Sequence, residues 1–343
     1  MSQTPARASS PVPSDTGQAR TVPPDTGQTR TVPSDTLPPG AADPARRPNV
    51  FVVGDAKCGT TSLHRLFELA PGIGTTRRKE LHFFSAPEIM ARANGPGDEG
   101  VAEEIVTQEA DYLAEFARSL GPRPPGVVVD VSPSYLQAEG AAARIADFAP
   151  EAQILITLRE PAAKVFSQYV HLWSEGRETL PFAEAYAASA PRRAQGWSTM
   201  FDYAAGGYYA AAVARYLEAF GRERVCIVLF EELVGDWDGT RDRLARFLGA
   251  ELPPGPLPQM NSGGRMRSPL AQAVFGNAAL RGAAQRLLPL GLRTALSQRL
   301  RGAVAVDKPE LEPAMRADLR ARYAADVAAL ETLIGRPTGW PAA

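Results

Sequence analysis

Residues 49–62, NVFVVGDAKCGTTS, decide the fold, because an apolar run is followed at once by a glycine-containing turn and a helix-like segment. The four residues from Val50 to Val53 do not alternate with polar ones, which predicts a strand buried on both faces of a parallel sheet. Small residues after Gly54 predict a loop, and a helix is predicted to open near Thr60. Backbone N–H groups at such a helix start form an anion site. The sequence therefore predicts an α/β protein with a phosphate-binding loop.

This loop differs from the Walker A sequence, G-x-x-x-x-G-K-[ST], at the position that kinase chemistry requires. Gly54 and Gly59 have the separation of that motif, but Thr60 occupies the place of the lysine and Lys57 lies inside the loop. The arrangement resembles the 5′-phosphosulfate loop of sulfotransferases that use 3′-phosphoadenosine 5′-phosphosulfate (PAPS), which is close to P-K-[SAT]-G-T-T. The resemblance implies a set of donor-binding residues: Lys57, Cys58, Gly59, Thr60, Thr61 and Ser62.

A second motif joins a Lys-Glu pair to two phenylalanines. Taken alone, the pair would be a surface ion pair beside the edge of the core. In context, KELHFF at 79–84 resembles the K-E-x-H-F-F segment of heparan-sulfate-type and related bacterial sulfotransferases. It also follows the phosphosulfate loop at the distance that this family shows. The resemblance implies that Glu80 is the catalytic base and that His82 is a further site residue.

The chemistry of sulfuryl transfer agrees with a base at this position. The acceptor oxygen or nitrogen loses its proton as the bond between sulfur and the departing nucleotide breaks, and a positioned base typically contributes ~10²–10⁴-fold. Lys57 can neutralise the charge that grows on the leaving phosphate. Because the transferred group carries less charge than a phosphoryl group, no metal ion is required.

A second apolar run, 126–130, ends in Asp130, as a Walker B strand does, so a magnesium-dependent P-loop kinase is an alternative hypothesis. A non-catalytic nucleotide-binding protein on the same scaffold is another. The residues that follow, VSPSY at 131–135, resemble the sulfotransferase segment E-K-S-P-S-Y, with Val131 in place of the lysine. In the glycan-modifying members that lysine helps to organise the sulfate and the acceptor, so its replacement counts against a polysaccharide acceptor.

A third strand, predicted over 153–158, runs into Arg159 and a helix. Arg159 is therefore expected at the C-terminal edge of the sheet, where open α/β sheets bind ligands. Ser167, eight residues later, can face the same side of the helix. The pair resembles the 3′-phosphate signature of the same family, R-[DE]-P followed by a serine. A guanidinium fork suits a phosphate dianion, and the resemblance implies that both residues bind the 3′-phosphate.

Residues 259–268 combine two glycines with Arg265 and Arg267. In sulfotransferases a late loop of this kind closes over the 3′-phosphate or the adenine, so the resemblance implies that either arginine binds the donor; a solvated loop is the alternative. Residues 265–303 contain seven arginines and no acidic residue. We expect a basic helical segment whose arginines face water and neighbouring carboxylates, with a lid over the acceptor as the second hypothesis.

The first 48 residues contain ten prolines and no Phe, Trp or Tyr. A ten-residue unit occurs in them twice, as SDTGQARTVP at 14–23 and PDTGQTRTVP at 24–33. Such a segment cannot bury enough apolar surface to offset the entropy of ordering the chain. Residues 1–47 are therefore expected to be a disordered leader.

Composition limits the partners. The formal net charge of −1 gives no general attraction to nucleic acid or to an anionic membrane. Two cysteines and three scattered histidines indicate neither a disulfide framework nor a metal site. No apolar run is long enough to span a bilayer, so the cytoplasm is the expected location.

These observations predict one α/β domain over 48–340, with helices on both sides of a central, mostly parallel, P-loop-like sheet. The resemblance implies a PAPS-dependent sulfotransferase that acts on a hydroxyl or amine of a small molecule, lipid or sugar. The alanine- and arginine-rich composition fits a high-GC bacterium, in which such enzymes often modify secondary metabolites, lipids or sugars, and composition does not choose among these.

Overall fold

The computed structural model describes residues 43–258 and 309–342, together with the backbone of two further short strands. The strands, in chain order, are β1 Val50–Gly54, β2 Ile73–Thr75, β3 Val127–Val131, β4 Gln153–Leu158, β5 Val225–Leu229, β6 Arg265–Met266 and β7 Ala305–Val306. The first five form a sheet in the order β2-β3-β1-β4-β5, in which every pairing is parallel. β6 and β7 pair with each other in antiparallel orientation.

Helices connect these strands. In chain order they are α1 Thr60–Leu69, α2 Ala86–Met90, α3 Asp98–Ala102, α4 Glu109–Ser119, α5 Ala141–Phe148, α6 Pro161–Ser174, α7 Phe182–Ala187, α8 Ser189–Ala194, α9 Ala210–Phe220, α10 Phe230–Gly235, α11 Trp237–Leu248 and α12 Pro313–Ile334. Short 3₁₀ turns over Phe83–Ser85 and Pro133–Tyr135 lie near the C-terminal edge of the sheet. None of the helices within the described ranges is long and apolar enough to cross a bilayer.

Both faces of the sheet are covered, which explains the unbroken apolar run of β1. Phe51 and Val53 pack on one face with side chains from α4, α5, α9 and α12, whereas Val50 and Val52 pack on the other with side chains from α1, α10 and α11. All four are buried, and full burial of such a side chain stabilises the fold by about 1.5–3 kcal/mol. The predicted three-layer α/β fold with a parallel sheet is confirmed.

Residues 43–47, which were expected to end the leader, contact the rest of the chain. Pro44–Arg46 forms a 3₁₀ turn capped by the side chain of Asp43. The guanidinium of Arg46 donates to the carbonyl oxygen of Leu120 at 3.1 Å, and that of Arg47 lies 4.1 Å from the ring centre of Phe148. These contacts are made by arginine side chains. A prediction based on the low apolar content of the segment therefore misses them. The rest of the expected leader lies outside the described residues.

Candidate active site

The chain leaves β1 through a loop that has no room for a side chain at its first position. Gly54 has a φ of +148°, and a Cβ there would lie 2.7 Å from the Cβ of Leu136 and from the carbonyl oxygen of Pro133. The N–H of Asp55 donates to the carbonyl oxygen of Thr157 at 2.5 Å, and the hydroxyl of Thr157 donates to the carbonyl oxygen of Gly54 at 2.8 Å. The neighbouring strand β4 thus fixes where the loop begins.

The loop ends at the start of α1. Gly59 precedes this helix in a left-handed conformation, with φ at +93°, and no side chain caps the helix. The first N–H groups of a helix have no intrahelical acceptor, so those of Thr60, Thr61 and Ser62 can bind an anion.

Lys57 and Cys58 differ in their surroundings. Lys57 is half-buried, and its positive charge adds to the effect of burial, which lowers the pKa of both Lys79 and His171. Cys58 is fully buried and its N–H donates to the carbonyl oxygen of Asp55 at 3.3 Å. Burial, followed by the charge of Asp55, raises the pKa of the Cys58 thiol. The thiol therefore packs under the loop and is not exposed to a ligand.

The carboxylate of Glu80 lies between two nitrogen-bearing side chains. Its Oε1 accepts a hydrogen bond from Nζ of Lys79, and its Oε2 lies 3.8 Å from Nε2 of His82. The N–H of Glu80 donates to the carbonyl oxygen of Val131 at 3.1 Å, which ties this segment to the end of β3. The Glu80 side chain is 35% exposed, so its carboxylate can be reached from solvent.

A chain of hydroxyl groups holds His82. Its Nδ1 lies 2.8 Å from Oγ of Ser134, which in turn lies 2.7 Å from Oγ of Ser85. Burial, followed by the charges of Lys79 and Arg78, lowers the pKa of His82 to about 4. The imidazole is therefore neutral near pH 7 and faces Glu80 without a positive charge.

Lys79 is buried more deeply than Glu80, with 18% of its side chain exposed. Burial, followed by the nearby ammonium of Lys57, lowers the pKa of Lys79 to about 7. The contact with the carboxylate of Glu80 acts in the opposite direction and favours the ammonium form.

Three of the predicted site residues have an unusual backbone conformation. Among the described residues, Lys57, Glu80 and His82 are the non-glycine residues with positive φ, at 67°, 64° and 57°. This conformation costs roughly 1–3 kcal/mol for an ordinary residue and tends to occur at functional sites. All three were proposed as site residues from the sequence, and their backbone is held in a rare conformation.

The guanidinium of Arg159 reaches the phosphate loop. It lies 4.5 Å above the ring of Phe230, and its NH1 is 3.4 Å from the carbonyl oxygen of Lys57. The hydroxyl of Tyr209 donates to the carbonyl oxygen of Arg159 at 3.0 Å, which fixes the backbone at the end of β4. Ser167 lies half-buried in α6, and the hydrogen bonds described for Arg159 do not include it.

Asp130, the residue of the kinase alternative, is buried at 1% exposure and accepts three hydrogen bonds from hydroxyl groups. Its Oδ2 accepts from the hydroxyls of Tyr112 and Tyr135 at 2.7 and 2.8 Å, and its Oδ1 accepts from Ser132 at 2.8 Å. Burial raises the pKa of Asp130, and these hydrogen bonds act against that effect. These hydrogen bonds therefore hold the carboxylate in the protein interior.

A cavity of about 410 Å³ opens beside Glu80 and His82 and borders the loop at Asp55 and Ala56. Its far wall includes Tyr208, whose side chain is 47% exposed. A larger cavity of about 650 Å³, lined in part by Phe83 and Phe148, contains neither Glu80 nor any loop residue. The smaller cavity is the one that adjoins the candidate chemistry.

The structure thus brings Lys57, Glu80, His82 and Arg159 to one edge of the sheet. Two further residues at this edge were not predicted as site residues: Lys79, which is adjacent to Glu80 in the KELHFF motif, and Ser134, which lies in the VSPSY segment and contacts His82. Position within a recognised motif was the signal that could have identified both.

The remaining donor-binding predictions cannot be placed. Arg267 lies outside the described residues, and only the backbone of Arg265 is described. Apart from the backbone of Arg265 and Met266, the basic segment 265–303 also lies outside them.

Comparisons with known proteins show which family this chain belongs to. The family model described as "Sulfotransferase family" matches residues 48–254. A solved structure of a sulfotransferase from Alicyclobacillus acidocaldarius is 36% identical, with a TM-score of 0.65, and the match covers 84% of this chain and 96% of that one.

Two curated relatives are more distant. Mouse heparan sulfate glucosamine 3-O-sulfotransferase 6 is 28% identical over 71% of this chain and 63% of its own length. The human bifunctional heparan sulfate N-deacetylase/N-sulfotransferase 2 is 23% identical over 60% of this chain and 22% of its own length. The chain therefore spans less than two thirds of either relative.

The chain belongs to the sulfotransferase family. This confirms the family that the loop, the KELHFF motif and the arginine–serine pair predict.

Proposed function

We propose that this protein transfers a sulfuryl group from PAPS to a hydroxyl or amine of a small-molecule, lipid or sugar acceptor and releases adenosine 3′,5′-bisphosphate. The observation that supports this most is the position of Glu80 in the wall of a cavity that also borders the phosphate loop. A base, an anion-binding loop and a space for the acceptor share one edge of the sheet.

The residues at this edge fit the donor. An uncapped helix start suits the 5′-phosphosulfate, and Lys57 supplies a positive charge next to it. Arg159 lies against the same loop, and its fork of donors suits the 3′-phosphate. We assign Ser167 to that phosphate as well, because it lies within the first two turns of α6, which begins two residues after Arg159.

In this proposal Glu80 accepts the proton of the acceptor hydroxyl or amine. Glu80 is assigned this task because its carboxylate lies in the wall of the cavity and can be reached from solvent, whereas the imidazole of His82, with a pKa of about 4, is neutral near pH 7 and hydrogen-bonded to Ser134. Lys57 offsets the negative charge that develops on the leaving phosphate. The role of His82 is then to face Glu80 on the side opposite Lys79 and to limit the orientations of its carboxylate.

The kinase alternative is less well supported. A magnesium-dependent kinase would place Asp130 on the metal, but all of its described partners are hydroxyl donors from Tyr112, Ser132 and Tyr135. The carboxylate would have to abandon this buried network, and breaking such a network is costly. A non-catalytic nucleotide-binding protein would need the loop but not Glu80, so the two remaining hypotheses differ in their dependence on that residue.

We further propose that the acceptor is compact. The names of both curated relatives specify heparan sulfate, but the cavity beside Glu80 is only about 410 Å³. Val131 is 2% exposed, so the end of β3 offers an acceptor no positive charge there. Arg92 and Arg193 in the wall both pair with Asp202, which reduces their net charge toward a polyanion. A bacterial secondary metabolite with one free hydroxyl or amine fits these features.

The test is a transfer assay that does not require a guessed acceptor. The protein is incubated with radiolabelled PAPS and an extract of the producing cells, and the labelled product is identified by mass spectrometry. We expect a product heavier than its precursor by one SO₃ group, together with adenosine 3′,5′-bisphosphate. Transfer of phosphate from ATP and magnesium, without any transfer from PAPS, would favour the kinase instead.

A further inference from the structure

The peptide group that joins Arg159 to Glu160 is held by side chains from two other elements. Its carbonyl oxygen, on Arg159, accepts a hydrogen bond from the hydroxyl of Tyr209 at 3.0 Å. Its N–H, on Glu160, donates to Oε1 of Glu231, the second residue of α10, at 3.0 Å. Both polar atoms of this one peptide group are therefore engaged, which fixes its orientation.

Trp340, in the segment after α12, contacts both of the side chains that hold this peptide group. Its indole Nε1 donates to Oε2 of Glu231 at 2.9 Å. Its ring centre lies 6.1 Å from that of Tyr209, with the two rings inclined at 48°. Because Oε1 of Glu231 already accepts from Glu160, the indole N–H engages the second oxygen and limits rotation of the carboxylate. Trp340 thus reaches the peptide group through two intermediaries.

The segment that carries Trp340 is itself anchored to α12. The N–H and the hydroxyl of Thr338 both donate to Oε1 of Glu331 at 2.8 Å, and the N–H of Trp340 donates to the hydroxyl oxygen of Thr338 at 3.3 Å. Trp340 is half-buried and packs against the core cluster that contains Tyr209. Its indole is therefore held in place by contacts that do not involve Glu231.

The side chain of Arg159 extends from the peptide group that these contacts hold. Its guanidinium lies 4.5 Å above the ring of Phe230, the residue before Glu231. A guanidinium binds a phosphate through two parallel hydrogen bonds only when its rigid fork is correctly placed and oriented. Rotation of the peptide group would move the point from which the fork extends, so it would weaken these hydrogen bonds.

We propose that Trp340 is a positioning residue for the 3′-phosphate: its indole N–H fixes the carboxylate of Glu231, and Glu231 and Tyr209 fix the peptide group from which Arg159 extends. This inference rests on the proposed function, because it takes Arg159 to bind the 3′-phosphate of the donor nucleotide. It adds a residue outside the segment that the family model matches, 48–254.

The experiment is calorimetric titration with adenosine 3′,5′-bisphosphate and with adenosine 5′-monophosphate, which lacks the 3′-phosphate. Trp340→Phe keeps an aromatic ring and removes the indole N–H. Trp237→Phe is the matched control, because Trp237 is also half-buried and its Nε1 donates to the carbonyl oxygen of Gly255 at 2.8 Å. Loss of folded protein weakens both apparent affinities by the same factor, so destabilisation alone leaves their ratio unchanged.

We expect Trp340→Phe to lower the ratio of bisphosphate to monophosphate affinity at least about threefold, and Trp237→Phe to leave it within about 1.5-fold of the wild type. In an Arg159→Lys background, Trp340→Phe should change the ratio by less than about 1.5-fold, because it acts through Arg159.

Three results would overturn the role of Trp340: an unchanged ratio in Trp340→Phe, an equal fall in Trp237→Phe, or full additivity with Arg159→Lys. A wild type that does not bind the bisphosphate, or does not prefer it to the monophosphate, would instead overturn the proposed function.

Discussion

The ammonium of Lys164 lies 3.1 Å from the carboxylate of Asp55, and the two side chains are 2% and 3% exposed. Lys164 also donates to the carbonyl oxygen of Gly206 at 2.7 Å, and Gln137 donates to Asp55 at 2.9 Å. The first side chain of the phosphate loop is therefore tied to α6, the helix that contains Ser167. This buried pair links the two proposed phosphate sites mechanically.

Loss of Lys164 alone is expected to be strongly destabilising. Lys164→Met leaves the carboxylate of Asp55 buried without its cation, and breaking a buried pair in this way costs about 3–5 kcal/mol. The double variant Asp55→Asn/Lys164→Met removes both charges and should regain part of that loss. The free energy of unfolding in urea measures both effects. A double variant that is no more stable than Lys164→Met would show that the ion pair is not the cause.

Arg159 is expected to bind the 3′-phosphate and no other part of the nucleotide. Arg159→Lys loses the planar fork, and the loss of a charge-assisted hydrogen bond, about 1.5–3 kcal/mol, should weaken binding of adenosine 3′,5′-bisphosphate at least about tenfold. Binding of adenosine 5′-monophosphate, which lacks the 3′-phosphate, should change by less than about twofold. Calorimetric titrations with both nucleotides make the comparison, with Arg65→Lys on the exposed side of α1 as the control. If binding of both nucleotides weakened equally, the assignment of Arg159 to the 3′-phosphate would be wrong.

Stability at acidic pH should depend on Glu232, which joins α10 to α11 and to the chain after α12. Burial opposes its charged form, but hydrogen bonds from Arg243, Arg336 and the N–H of Leu229 lower the pKa of Glu232 to about 2. Since the unfolded pKa is about 4.3, this carboxylate stabilises the fold above that pH and loses its effect as pH falls toward about 2.

Glu232→Gln should therefore lower the midpoint of thermal unfolding at about pH 6 and have a diminishing effect below about pH 4. Scanning calorimetry at several pH values from below about pH 4 to about pH 6 measures this midpoint. Glu251→Gln, at an exposed position, is the control. A difference from the wild type that stays constant with pH would contradict the assignment.

The sheet could be predicted from the sequence because local pattern determines it. The unbroken apolar run of β1 requires two covered faces, and the strand predicted over 153–158 matches β4, Gln153–Leu158. The family motifs likewise lead to Lys57, Glu80 and Arg159, which follow the parallel strands β1, β2 and β4. Glycine at position 54 signals a tight turn, although the neighbours that forbid a side chain there are more than 70 residues away.

Contacts between distant segments could not be predicted in this way. Lys164 gives no local signal because its partner, Asp55, lies on another element. The neutral state of His82 and the lowered pKa of Lys79 both arise from burial and from charges that only the fold brings near. Because residues 43–47 contain few apolar side chains, the sequence pattern does not predict the arginine contacts that hold them.

Glu80 is the residue on which the account depends most. Glu80→Gln keeps the shape of the side chain and removes its ability to accept a proton, so nucleotide binding and transfer should separate. Glu68→Gln is a matched control, because Glu68 is 29% exposed and pairs with Arg65 much as Glu80, at 35%, pairs with Lys79.

The most direct measurement is single-turnover sulfuryl transfer from PAPS, made alongside the affinity for adenosine 3′,5′-bisphosphate in both variants. The account predicts that Glu80→Gln loses at least ~10²-fold in transfer rate while its affinity changes by less than about threefold, and that Glu68→Gln matches the wild type. Transfer at the wild-type rate in Glu80→Gln would contradict the assignment of Glu80 as the base.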